Sequence, residues 1–159
     1  LADSREDQLD PFRLAAITDG AADVSVHHLL LGEQLLERLP RGAHVLIMSH
    51  DHAEDFALCD AALRLPGLGS IGLIGSSAKW SGFRRRLTEA GHPSATIDRI
   101  TCPIGLPGIA GKEPAVIAVS VAAALLPSFP PSSESALTPG APAPEARRPT
   151  TVTPSGART

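Results

Sequence analysis

The apolar positions of this chain change period along its length, and that change predicts its architecture. "AHVLIMS" (43–49) is a continuous apolar run, the pattern of a strand buried on both faces. "DHAEDFALCDAALRL" (51–65) follows with helical spacing, placing Ala53, Phe56, Ala57 and Ala61 on one stripe. Asp51 stands as its N-cap, with Glu54 three residues on in the manner of a capping box. "SIGLIG" (70–75) is a second buried strand, and "SAKWSGFRRRLTEAG" (77–91) is a helix that ends at Gly91. "AVIAVSVAAALL" (115–126) is the last helix, with Pro114 at its first position. Strands alternating with helices in this order predict an α/β fold with a parallel sheet and right-handed crossovers.

Before residue 43 the pattern is weaker. "LADSRED" reads as the end of a strand entering a polar turn, "ADVSV" (22–26) as a short strand, and "LLGEQLLERL" (30–39) as a helix. The chain opens at Leu1 with no signal-peptide pattern, so it is expected to start inside a domain. At the other end, "PSFPPSSESALTPGAPAPEARRPTTVTPSGART" (127–159) is rich in Pro, Ser, Ala and Thr. It has too few large apolar residues to offset the entropy of ordering it. It is read as a disordered tail behind a folded domain at 1–126.

Composition narrows the picture. With 159 residues, 43% of them hydrophobic, the chain can build the core of one domain. Aromatics are only 3%, so that core must be aliphatic and rich in alanine. A net charge of −3 argues against a nucleic-acid binder that draws its affinity from phosphate neutralisation. No stretch approaches the roughly 18 apolar residues of a membrane span. The two cysteines, Cys59 and Cys102, make neither a disulfide framework nor a zinc pattern, and a reducing cytoplasm is the expected compartment.

In an open parallel sheet, ligands bind beyond the carboxyl ends of the strands. Four stretches fall at such ends. Asp3, in "DSR", is placed to accept a hydrogen bond from a ribose hydroxyl, with Arg5 able to meet a phosphate. The glycine fingerprint that would precede such an acid is absent from the chain, and a solvated turn is the plainer alternative. His50 and His52, in "SHDHAED" (49–55), have a spacing seen in metal sites. Glu54 and Asp55 stand where the nearest motif, HxHxDH, needs Asp and His, so no metal is assigned. His50, at the strand terminus, is the binding candidate of that stretch.

The third stretch is "IGLIGSSAK" (71–79). Gly72 and Gly75 allow close approach of backbone, and Ser76 or Ser77 caps a helix whose free N–H groups favour an anion. Lys79 adds a cation; the alternative is an ordinary strand–helix turn. The fourth is "TCPIGLPGIAGKEP" (101–114), where Gly105, Gly108 and Gly111 free the backbone and Pro103 and Pro107 stiffen it. Neither stretch is a Walker A loop. Cys102, near a positive helix end, is expected to have a lowered pKa and to serve as a thiolate ligand or sulfur acceptor. On composition alone it reads as a small buried hydrophobe.

Taken together, "VLIMSHDHAEDFAL", "SIGLIGSSAKWSGFRRRL" and "CPIGLPGIAGKEPAVIAVSVAA" resemble, in order and spacing, the xanthine dehydrogenase accessory proteins of the XdhC/CoxI family. "LADSRE" approximates that family's "VDSRE", "SHDH" its "THDH", and the resemblance covers residues 1 to about 126. It implies the C-terminal Rossmann-like domain of such a protein, a parallel sheet lacking its first strand, glycine turn and helix. It also implies a cofactor chaperone, not an enzyme. Such a protein binds the molybdenum cofactor, protects it while it is sulfurated, and helps insert it into xanthine dehydrogenase or a related molybdenum hydroxylase. A cysteine desulfurase as sulfur donor and a homodimeric state are further expectations. On this reading the helix N-terminus suits the cofactor's phosphate, the glycine backbone suits its flat pterin, and Cys102 can approach the metal or a sulfur atom. The residues alone leave two rivals: an NAD(P)-dependent oxidoreductase with Asp3 on the ribose, and a scaffold that docks to a hydroxylase.

Overall fold

In the computed structural model, residues 1–129 are described, except Ala21, Ala110 and Lys112. Its strands are Ala2–Asp3 (β1), His27–His28 (β2), His44–Ile47 (β3), Ser70–Leu73 (β4) and Ile100–Thr101 (β5). Its helices are Pro11–Thr18 (α1), Glu33–Leu36 (α2), His52–Arg64 (α3), Ser77–Glu89 (α4), Ser94–Ile97 (α5) and Pro114–Leu125 (α6). Every strand pairing is parallel. One sheet runs β1–β2, with Asp3 opposite His28; the other runs β3–β4–β5, with Ile47 opposite Leu73 and Gly72 opposite Thr101. This is the α/β, parallel arrangement expected from the alternation of strands and helices, and it agrees with the Rossmann-like domain that the resemblance implies.

The apolar runs at 43–49 and 70–75 form strands because their side chains are consumed on the sheet's helix-covered face. Val45, Ile47, Ile71 and Leu73 pack there against Cys59, Ala62 and Leu63 of α3 and Phe83 and Leu87 of α4. On the opposite face Leu46 and Met48 stay exposed, Met48 at 53%. Gly72 is there for packing: a Cβ on it would lie 2.8 Å from Ile104 Cγ2 and 3.0 Å from Leu46 Cδ2. Residues 1–126 make one compact unit.

The caps follow the sequence closely. The Asp51 carboxylate accepts from the amides of Ala53 and Glu54, and Ser76 Oγ accepts from Lys79 N. Gly91, at φ +93°, ends the α4 region, and Pro114 opens α6. Glu54 departs from the capping-box expectation. Its carboxylate turns to Ser4 and His50 instead of returning to the amide of Asp51, which donates to Ser49 Oγ.

Other expectations are corrected. The strand expected at 22–26 forms one step later, at His27–His28, where a partner strand is available. The helix expected over 30–39 shrinks to Glu33–Leu36. The buried stripe of α3 is Asp55, Cys59, Ala62 and Leu63, rotated from the predicted stripe of Ala53, Phe56, Ala57 and Ala61. An unanticipated helix, α1, starts at Pro11 because Asp10 caps the amides of Phe12 and Arg13. The tail expected to be disordered lies, from residue 130 on, outside the described residues.

Candidate functional site

The carboxyl ends of β4 and β5 open onto a cleft of about 680 Å³. Ile74, Gly75 and Ser76 form one wall, the loop from Pro103 to Ile109 another, and Val116, Ile117 and Ser120 of α6 a third. The loop takes this path because two glycines turn it, Gly105 at φ +97° and Gly108 at φ +101°. It is held to α6 by Leu106 N, which donates to the buried Ser120 Oγ at 2.8 Å. Gly105 is required by that junction, since a Cβ there would sit 2.4 Å from Ser120 Oγ. Gly108 has open space around it.

Among the described residues none that lines the cleft carries a charge, and Ile104, Leu106, Ile109, Val116 and Ile117 give it apolar walls. On its polar side stands Ser76, the N-cap of α4. Ser76 Oγ is spent on Lys79 N, while the first-turn amides of Ser77 and Ala78 have no helical carbonyl behind them. With the positive end of the α4 dipole, they favour a negative group.

Lys79, expected to supply a cation to an anion, is directed inward. Its ammonium pairs with Asp55 and donates to the Ile74 carbonyl at 3.1 Å; its side chain is only 12% exposed. Asp55, notable in the sequence only for breaking the HxHxDH pattern, is fully buried. It accepts from Ser49 N at 3.1 Å and Ser49 Oγ at 2.7 Å as well as from Lys79. The Asp55–Lys79 pair therefore joins the end of β3 to the end of β4, directly behind the Gly75–Ser76 wall. A signal for Asp55 was present: an acid four residues before Cys59 and seven before Ala62, on the stripe the helix buries.

Cys102 packs against the core edge, with Sγ 3.9 Å from the Gly75 carbonyl. Its expected thiolate character is corrected: burial pushes the thiol's pKa up, and the neighbouring Lys79 ammonium offsets only part of that. Cys59 lies deeper, fully buried, with its pKa pushed up to about 12, chiefly by burial.

Asp3 and His50 fall outside the cleft lining. Both carboxylate oxygens of Asp3 are taken by the Arg5 guanidinium at 3.1 Å, and Arg5 N adds a bond at 2.9 Å. These bonds hold the Asp3 carboxyl below its ordinary pKa. The acid and base expected to meet a ribose and a phosphate thus satisfy each other. His50 Nδ1 lies 3.7 Å from Glu54, which also accepts from Ser4 Oγ at 3.3 Å, so the ends of β1 and β3 share a small polar cluster. Among the described residues no group of three or more His, Cys, Asp or Glu could hold a metal ion, and no helix is long and apolar enough to cross a membrane. The arginine run also turns away from the cleft: Arg84 pairs with Asp98 at 2.7 Å, and the Arg86 guanidinium lies 3.8 Å above the Phe56 ring.

Of the expected site residues, the structure gathers Gly75, Ser76, Gly105 and Gly108 around one cleft and sets Cys102 beside it; Gly72 lies beneath, under Ile104. A family model described as the XdhC Rossmann domain matches residues 1–125. No curated protein matches the chain.

Proposed function

The chain belongs to the XdhC family, and from that premise we propose that it binds the molybdenum cofactor as cargo. It passes this cargo to xanthine dehydrogenase or a related molybdenum hydroxylase and performs no turnover of its own. The observation that carries the reading is the apolar-walled cleft at the ends of β4 and β5, with glycine turns on one side and a helix start on the other. Apolar walls at Ile104, Leu106 and Ile109 suit the faces of a flat pterin. The free amides at the start of α4 suit its phosphate without help from Lys79. Cys102, next to Gly75, is a soft ligand of the kind that molybdenum or its sulfur accepts. A cysteine desulfurase is the matching class of sulfur donor, and a second copy of the chain is the matching class of assembly partner.

Equilibrium dialysis tests the proposal. The protein should retain the molybdenum cofactor and leave NADH and NADPH evenly distributed across the membrane. Retention of a nicotinamide dinucleotide with none of the molybdenum cofactor would replace this reading with the oxidoreductase.

A further inference from the structure

One position of α6 breaks its apolar character. Over Pro114–Leu125 only Ser120 has a polar side chain, and that side chain is not turned to solvent. Ser120 is 5% exposed and lines the cleft beside Val116 and Ile117 of the same helix. Packing alone would be served by alanine, which α6 carries at five other positions. The hydroxyl is only half used. Its oxygen accepts from Leu106 N at 2.8 Å, and among the described residues this is its one hydrogen bond. A hydroxyl inside a helix can donate back to the carbonyl four residues earlier. Thr18 and Thr88 do so, to Leu14 O at 3.3 Å and to Arg84 O at 2.9 Å. Ser120 does not, so its proton has no acceptor among the described residues. Gly105 leaves the hydroxyl uncovered, since a Cβ there would collide with Oγ.

We infer that Ser120 is a hydrogen-bond donor of the cleft and that it selects a flat heterocycle with a carbonyl oxygen on its edge. The inference rests on the proposed binding of a pterin in this cleft, and it identifies the ring carbonyl as the group that the protein reads. The bond from Leu106 N takes one lone pair and fixes the oxygen, and the proton is what remains for a ligand. A buried donor left without an acceptor costs free energy, so a ligand that takes this proton is favoured over one of the same shape that cannot. The apolar walls sense the size and flatness of a ring system. They do not separate two rings of equal size that differ by an oxo or an amino group, whereas a fixed donor does. Ser120 thus has two roles: its oxygen holds the loop to α6, and its proton selects the ligand.

Fluorescence titration with pterin and with 2,4-diaminopteridine tests it, because the second has an amino group where the first has its ring carbonyl. Retention of the molybdenum cofactor is measured in parallel, and circular dichroism confirms the fold of each variant. The wild type should bind pterin about five- to tenfold more tightly than the diamino compound. In Ser120→Ala that ratio should fall to about one, with most of the loss on the pterin side. Loosening of the loop alone would weaken both ligands by the same factor, so an unchanged ratio in a folded Ser120→Ala would overturn the inference. Ser120→Cys fills the same place with a weaker donor. It should give an intermediate ratio, and it is the safeguard if the alanine variant fails to fold. A wild type that retains the cofactor yet binds pterin no more tightly than the diamino compound overturns the inference and leaves the cargo reading standing. A wild type that prefers pterin but retains no cofactor supports the role of Ser120 and contradicts the cargo reading. Neither preference nor retention overturns both.

Discussion

Asp60 sits between Arg64 and His92. Its carboxylate accepts from Arg64 at 2.9 and 3.1 Å and lies 2.6 Å from the buried His92 Nε2, tying the end of α3 to the segment after α4. The bonds from Arg64 first, and then from His92, hold its pKa below the ordinary carboxylate value. A lowered folded-state pKa gives stability that is present above the unfolded value, about 3.9, and is lost as pH falls through the folded one. Urea midpoints of the wild type should therefore drop below about pH 4, and Asp60→Asn should drop less over the same range. Equal losses in both proteins would show that Asp60 is not among the groups that titrate on acid unfolding. Asp55 shows what was harder to read at this scale. Its position on the buried stripe is visible only once the helix phase is right, and apolar spacing alone points to a phase through Ala53, Phe56, Ala57 and Ala61. The partner that makes burial tolerable, Lys79, is 24 residues away and belongs to a different helix.

At the scale of elements, what was legible had either length or a cap. β3 and β4 are continuous apolar runs, and α3, α4 and α6 begin with Asp51, Ser76 and Pro114, so their type and order could be read from the chain. β1, β2 and β5 have two residues each, too few to show a period; neighbouring backbone defines them. The helix α1 was readable in principle from Asp10 and Pro11, but its apolar residues are largely exposed, Phe12 at 93%, which blurs the amphipathic pattern. The loop after β5 was legible as a glycine-rich approach of backbone. Its partner was not, because the contact of Gly105 with Ser120 spans α6. That junction makes a graded prediction. Gly108→Ala meets open space and pays only backbone strain, of order 1 kcal/mol, whereas Gly105→Ala adds a collision with Ser120 and should lose about 2 kcal/mol or more. Denaturant unfolding measures both; equal losses would contradict the loop–α6 junction described here.

Across the whole of residues 1–126, the parallel strands form two sheets, and their carboxyl ends carry two different clusters of side chains. At β1 and β3, Asp3, Ser4, Arg5, His50 and Glu54 satisfy one another. At β4 and β5 the glycine turns and the start of α4 leave an open cleft whose described lining residues are uncharged. The sequence indicated ligand binding at strand ends in general; only the fold separates the end that is already occupied by its own side chains from the end that is open. The same fold leaves apolar surface beside the cleft, with Val119 of α6 66% exposed. The central claim, that this cleft holds the molybdenum cofactor, is tested most directly at Ile109. This side chain lines the cleft, is 43% exposed, and can be changed without opening the core. Ile109→Asp places a carboxylate against an anionic cargo, while Cys59→Ala alters packing in the core and leaves every lining residue in place. The measurement is molybdenum cofactor retained after gel filtration, with folding checked by circular dichroism. The account predicts retention by Cys59→Ala close to that of the wild type and a loss of about tenfold in affinity, roughly 1.4 kcal/mol, for Ile109→Asp. Equal retention by a folded Ile109→Asp and the wild type would place the cofactor elsewhere and contradict the account.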